Sequence, residues 1–214
     1  MAERPLVSVV LPIWNERAHI AACLDSILAG DWPADRLEVL AVDGGSTDGT
    51  RGILEDYAAR HPAVRVVENP ARRIPAALNA GLREARGEIL VRMDAHALYE
   101  PDYIRRCVEL LETTPAAAVG GMQRHRGAGW TGGAIAAALR SRFGAGDAAY
   151  RTTSEPRWTD TVYLGAWRTG TVRAVGGWDE SWRVNEDYEF NLRLREWHRG
   201  RTGSGDAILL SPDV

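Results

Sequence analysis

Three polar clusters in this chain have residue types and spacings that could carry chemistry. Asp94 and His96 stand two apart after an apolar run, so on extended backbone their side chains face the same way. A carboxylate beside an imidazole suits a divalent ion, Mg2+ or Mn2+, with diphosphate oxygens and water completing its shell. The bland alternative is a helix N-cap followed by a surface histidine. The second cluster, Asn185-Glu186-Asp187-Tyr188-Glu189-Phe190, opens a helix. There Glu186 or Asp187 could project into a cleft as a general base and deprotonate an attacking hydroxyl. Acidic residues in a first turn are equally favoured by the helix dipole and its free amides. The third cluster is Asp43-Gly44-Gly45-Ser46-Thr47-Asp48-Gly49-Thr50. Its glycines let the backbone turn sharply beside a ligand, and Asp43 can accept hydrogen bonds from a base or ribose. The same residues also suit a tight strand-to-helix turn capped by Asp48 or Thr47. Arg72 and Arg73, in a loop before a helix, could pair with phosphate oxygens or stack on a base.

Those clusters need a scaffold, and the apolar pattern supplies one. Residues 7–11, stopped by Pro12, read as a buried strand, followed by an amphipathic helix through Ile20, Cys23, Leu24, Ile27 and Leu28. Residues 37–42, 64–67 and 89–93 give three more strands. Helices are expected around Ile53, Leu54 and Tyr57, from Pro75 through Leu82, and around Ile104, Cys107, Val108 and Leu111. Alternating strands and helices predict an α/β fold with right-handed βαβ units and a mostly parallel, Rossmann-like sheet flanked by helices. Such sheets bind ligands at the C-terminal ends of their strands, where the polar clusters at 12–16, 43–48 and 94–96 fall.

From about Gly120 the pattern changes. Residues 120–147 are rich in Gly, Ala and Arg, with a short helix expected at 135–143. A strand is expected at 161–167, a helix at 187–197 with Phe190, Leu194 and Trp197 inward, and a brief apolar strand after the turn at 203–206. A single domain over 1–214 is expected, in two parts, residues 1–119 and 120–214. The chain reads as ending in mid-fold, as either a C-terminally truncated piece or a short natural version would.

Composition removes several function classes. The 214 residues carry 26 basic and 29 acidic side chains, a net charge of −3, which argues against a nucleic-acid binder. All 26 basic residues are arginine, so lysine Schiff bases and a P-loop ammonium are excluded. The glycine cluster is neither a dinucleotide fingerprint nor a phosphate-cradling loop. Two cysteines are too few for a disulfide framework, and no apolar stretch is long enough to span a bilayer, so a reduced cytoplasmic chain is expected. The arginine-bearing 135–143 helix leaves room for peripheral contact with the inner face of the membrane. Tryptophan is plentiful, with 8 residues, and such rings stack on sugars as readily as they fill cores.

Taken in order, these motifs resemble the family-2 inverting glycosyltransferases of glycosyltransferase-A fold. The resemblance rests on Leu11-Pro12-Ile13-Trp14-Asn15-Glu16, the Asp43 to Thr50 run, Ala77-Leu78-Asn79-Ala80-Gly81 and Gly87-Glu88-Ile89-Leu90. It continues through Asp94-Ala95-His96, Gly176-Gly177-Trp178-Asp179-Glu180 and Glu186-Asp187. Asp-Ala-His with Asp160-Thr161-Val162 and Gly165-Ala166 is similar to the succinoglycan-type exopolysaccharide glucosyltransferases. By that resemblance Pro12, Asn15, Glu16 and Asp43 line the nucleoside pocket with Arg73 nearby. Asp94 meets ribose or metal, His96 takes the second metal-ligand place, Gly165, Ala166 and Trp178 flank the donor sugar and acceptor, and Asp187 is the base beside Glu186. The implied donor is a nucleotide-diphosphate sugar, a UDP-sugar being expected, and the acceptor is a carbohydrate, lipid-linked or small-molecule hydroxyl. His96 in place of an aspartate leans toward Mn2+ over Mg2+. The Gln-x-x-Arg-Trp element of processive polymerases does not follow Asp187, which favours single-sugar transfer. The alternative reading is a nucleotide-binding module or partner without turnover. A nucleotidyltransferase is disfavoured because residues 11–17 lack a Gly-rich basic loop.

Overall fold

The computed structural model describes residues 4–123, 154–162 and 164–214. Numbering the elements of those residues in chain order, the first half alternates strand and helix. It runs β1 Val7–Ile13, α1 Ile20–Leu28, β2 Leu37–Asp43, α2 Thr50–Arg60, β3 Val64–Glu68, α3 Ile74–Glu84, β4 Ile89–Arg92 and α4 Tyr103–Thr113. The second half adds β5 Ala118–Gly120, β6 Arg157–Thr159, β7 Ala166–Arg168, α5 Thr169–Val175, α6 Glu186–Thr202 and β8 Ile208–Leu210. The eight strands form one sheet in the order β3-β2-β1-β4-β7-β5-β8-β6. β1, β2, β3 and β4 are mutually parallel, and so are β5 and β8. β7 runs antiparallel between β4 and β5, and β6 antiparallel at the far edge.

Strand alternation builds a core on each face. Val7, Val9, Leu11 and Ile13 pack with Ile20 and Leu24 of α1, Leu54 of α2 and Ile104 and Leu111 of α4. Val10, Leu40 and Val42 pack on the other face with Leu78 and Leu82 of α3, Val172 of α5 and Phe190 and Leu194 of α6. Cys23 and Cys107 are free and buried within the first core, and burial pushes each thiol up to about 12. Neither serves as a thiolate nucleophile at neutral pH.

Three expectations need correction. β1 does not stop at Pro12 but runs to Ile13, with Pro12 opposite Val42. In β1, Val10 faces β4 and accepts a hydrogen bond from the Met93 N–H, so Pro12 faces the same way. The β1–β4 pairing ends at Val10 and Arg92, so proline's missing donor has no strand to serve. The strand expected at 161–167 is Ala166–Arg168 instead, fixed by pairing with Ile89, Leu90 and Val91 of β4. Trp197 is half-buried under Arg201, while Asn191 and His198 take the inward places on α6. The helix expected at 135–143 lies outside the described residues. Among those described, no helix is long and apolar enough to cross a membrane.

The strand order places a reversal between β1 and β4, because the crossover after β1 goes to β2 and the one after β3 returns to the other side. A crevice opens at such a switch point, beyond the carboxyl ends of the strands. Gly81 sets how closely α3 approaches that sheet: a Cβ there would lie 2.4 Å from Cγ1 of Val10. Gly81→Ala raises helix propensity, yet the overpacking wins. The expected result is a loss of about 1–3 kcal/mol, read as a melting temperature lower by about 5 °C in calorimetry.

Candidate functional site

The loops that follow β1 and β2 are tied together. The Asn15 N–H donates to Ser46 Oγ at 2.9 Å, the Thr47 N–H to Asn15 Oδ1 at 2.8 Å, and the Glu16 N–H to Thr50 Oγ1 at 2.9 Å. Asn15 holds φ at 56°, a left-handed conformation that asparagine tolerates better than most residues. Asp43 is buried, and its Oδ1 accepts from the Ser46 N–H at 3.1 Å and the Ser46 hydroxyl at 2.7 Å. Asp48 Oδ1 accepts from the Thr50 N–H and hydroxyl at the start of α2. Asn15 and Asp43, expected in the nucleoside pocket, fasten these turns through Asn15 Oδ1 and Asp43 Oδ1 and are not among the residues that line the cleft below.

What the two turns carry is a cleft of about 720 Å³. Pro12, Trp14 and Glu16 form one wall, Arg72, Arg73 and Ile74 another, and Arg92 and Asp94 the floor beyond β4, with His96 at the rim. Trp182 and Arg183 close it from the loop before α6. The structure thus brings together Pro12, Glu16, Arg73, Asp94 and His96 as the sequence implied. The three arginines of its walls, Arg72, Arg73 and Arg183, create a field that favours an anion. Arg73 also donates to the Glu180 carbonyl, linking the start of α3 to that same loop.

Asp94 is held by its backbone: its N–H donates to Tyr99 Oη at 2.6 Å, and the Tyr99 hydroxyl donates back to the Asp94 carbonyl at 3.3 Å. His96 Nδ1 lies 3.0 Å from Glu16 Oε1 at the exposed rim. Among the described residues, no group of three or more His, Cys, Asp or Glu side chains converges on a metal position. Asp94 and His96 both line the cleft, so a divalent ion held there would draw its remaining positions from substrate phosphates and water.

The residue that sequence reasoning passed over is Arg92. It closes the apolar run Ile89-Leu90-Val91 and is 5% exposed. Its guanidinium Nη1 donates to Asp187 Oδ1 and lies 3.6 Å from Glu186 Oε1, while Nε lies 3.7 Å from Asp94 Oδ1. A charge in a fully buried strand has to find an opposite partner, and that rule was the available signal. Glu186 and Asp187, in the first turn of α6, thereby lie against Arg92, which itself lines the cleft. Burial raises the Asp187 carboxyl to about 7; the charges of Glu186 and Asp94 add to that, and Arg92 opposes it. Trp182 and Arg183 were also missed, and the sequence held no signal for them.

Three expected residues sit elsewhere. Gly165 lies behind Arg92, its carbonyl accepting the Arg92 N–H at 2.9 Å, and a Cβ there would meet the Trp167 ring at 2.3 Å. Ala166 is buried in β7. Trp178, expected beside sugar, is buried, stacked on Phe190 with centroids 4.7 Å apart and edge-on to Trp167. Asn79 fixes it there: its Nδ2 donates to the Trp178 carbonyl at 2.7 Å and its Oδ1 accepts the Trp178 N–H at 2.9 Å. An indole so enclosed stabilises the fold and does not stack on a ligand. Trp178→Ala is expected to cost about 3–5 kcal/mol in denaturant unfolding. Trp178→Phe, which keeps the aromatic contact, is expected to leave nucleotide binding within about threefold by calorimetry.

The family model for Glycosyl transferase family 2 matches residues 8–163. The succinoglycan biosynthesis protein ExoA of Rhizobium meliloti is 37% identical over 188 residues, covering 87% of this chain and 57% of that protein. Mannosyltransferase PcManGT from Pyrobaculum calidifontis, solved in complex with GDP-Man and Mn2+, superimposes with a TM-score of 0.75 at 28% identity, covering 100% of this chain and 56% of that one. S. aureus TarS 1-349, solved with UDP, shares the fold at a TM-score of 0.72 and 18% identity, over 98% of this chain and 58% of that one. The chain spans a little over half the length of these relatives.

Proposed function

The chain belongs to glycosyl transferase family 2, and on that premise we propose that it transfers one sugar from a nucleotide-diphosphate donor to an acceptor hydroxyl with inversion. The observation that carries the reading is the carboxylate of Asp187, bonded to Arg92 in the lining of an arginine-bearing cleft and raised to about 7 by burial. A base of that pKa is half ionised at neutral pH and strong enough to receive a proton. Asp187 takes the acceptor proton as the acceptor oxygen attacks the anomeric carbon. The bond to the nucleotide diphosphate breaks on the opposite face, so an α-linked donor yields a β-linked product. Arg73, with Arg72 and Arg183 around the same cleft, binds the diphosphate and offsets its charge. Trp14 and Pro12 give the nucleoside an apolar wall.

Asp94 and His96 would hold a divalent ion, which when bound neutralises charge on the departing diphosphate. The mannosyltransferase structure with GDP-Man and Mn2+ makes GDP-sugars the donors to test beside the expected UDP-sugars. The acceptor class follows from the kinship with a succinoglycan biosynthesis protein: a sugar hydroxyl, presented free or on a lipid.

Asp187→Asn keeps the shape and removes the base. It is expected to lower kcat by about 1000-fold while leaving the Kd for UDP or GDP within about threefold. Turnover near wild type in that variant would remove Asp187 from the mechanism. Because only the ionised carboxylate accepts a proton, kcat/KM is expected to rise about tenfold per pH unit below 7 and to level above it. A profile flat down to pH 5 would contradict the assignment. His96→Asp replaces an imidazole with a hard oxygen ligand and is expected to shift the preferred ion from Mn2+ toward Mg2+ in a metal titration of activity.

A further inference from the structure

We propose that Arg92 is a positioning residue: its guanidinium holds the Asp187 carboxylate in the orientation from which it takes the acceptor proton. The inference rests on Asp187 being the base.

The support begins in the strand. Arg92 ends β4 between two neighbours, with its own N–H bonded to the Gly165 carbonyl and its partner Val10 in β1. Its backbone is therefore as fixed as any in the sheet. The side chain is 6% exposed, so few rotamers are open to it. By contrast, α6 starts from Asn185, which has φ at 60° and makes no side-chain cap. With no cap side chain holding the first turn, Glu186 and Asp187 take their tether from outside the helix. Arg92 is that tether, because Nη1 bonds Asp187 Oδ1 and also lies 3.6 Å from Glu186 Oε1. The same guanidinium turns its Nε toward Asp94 Oδ1 at 3.7 Å, and that nitrogen makes no hydrogen bond. One planar group thus spans from the donor wall at Asp94 to the base on α6.

Burying a guanidinium among three carboxylates is a poor route to stability, since an apolar residue of similar size usually serves as well. Orientation of a reacting group is what such a group can add, because misplacement by about 1 Å costs about 100-fold in rate. Arginine suits the task better than lysine, since its rigid fork reaches two carboxylates at once.

The test compares Arg92→Met, Arg92→Lys and Asp187→Asn. Nucleotide affinity is measured calorimetrically with UDP and GDP in the presence of Mn2+. Turnover is measured as release of UDP or GDP from the sugar nucleotide the wild type uses. Arg92→Met is expected to lower kcat about 100-fold with Kd unchanged within about threefold, and Arg92→Lys to recover about tenfold of that loss. A kcat within threefold of wild type in Arg92→Met, a loss confined to Kd, or no advantage of Lys over Met would overturn the proposal. Asp187→Asn separates the two readings. If it stays active, the base assignment fails; if it is dead while Arg92→Met turns over normally, only the positioning role fails. Should Arg92→Met unfold, the double variant Arg92→Met/Glu186→Gln, which strands one carboxylate fewer, is measured in its place. It is expected to show the same loss of kcat, and wild-type turnover in it would mean that Arg92 merely offsets charge.

Discussion

The structure depends on one buried cation. Arg92 sits at the end of a strand whose other residues are apolar, and taking its charge out of water costs several kcal/mol unless opposite charges meet it. The carboxylates that meet it come from two places far apart in sequence: Asp94 just beyond the strand, and Glu186 and Asp187 on α6. Satisfying one charge therefore joins the parallel half of the sheet to α6. The cleft lies where they join. Its floor is acidic because Arg92 needs partners, and its walls are basic because Arg72, Arg73 and Arg183 stand around it. A donor with an anionic diphosphate and an acceptor needing a base can be served side by side in such a place.

The other contacts around the cleft are maintenance for that geometry. Asn79 clamps the Trp178 backbone on both sides, and Arg73 reaches the Glu180 carbonyl, so the loop bearing Trp182 is fixed to α3 at two points. Ser46, Asn15 and Thr50 lock the first two strand-end loops to each other. These are neutral or singly charged bonds of modest net value each, and they work by leaving the loops few alternatives. The aromatic trio Trp167, Trp178 and Phe190 backs the same region from the core.

Much of this was legible in the chain. The strands ending near residues 13, 43 and 92 were visible because buried parallel strands read as continuous apolar runs, and the helices between them because their stripes recur at helical spacing. Asp94, His96, Glu16, Arg73 and Asp187 were visible through ordered motifs. The role of Arg92 was not drawn from the sequence, because its bonded partner Asp187 lies 95 positions away and only the fold brings it near. Asn15 and Asp43 carry two readings for a related reason: a residue that fastens a turn and one that grips a ligand have the same type and spacing. Trp178 shows the limit for aromatics, since sequence does not say which face of an indole is covered. The short strand β7 was placed too early because its bounds are set by the partner β4 and not by its own composition.

The central claim is that one cleft holds a metal-bound nucleotide against Asp94 and faces it with Asp187. The most direct test is a crystal structure with Mn2+ and UDP or GDP, read by manganese anomalous scattering. The account predicts a manganese peak in coordination range of the Asp94 carboxylate, with the diphosphate between it and Arg73 and the Asp187 carboxylate across the open sugar position. A manganese peak or a nucleotide seated away from the Asp94 side of the cleft, with Asp187 turned from it, would contradict the account.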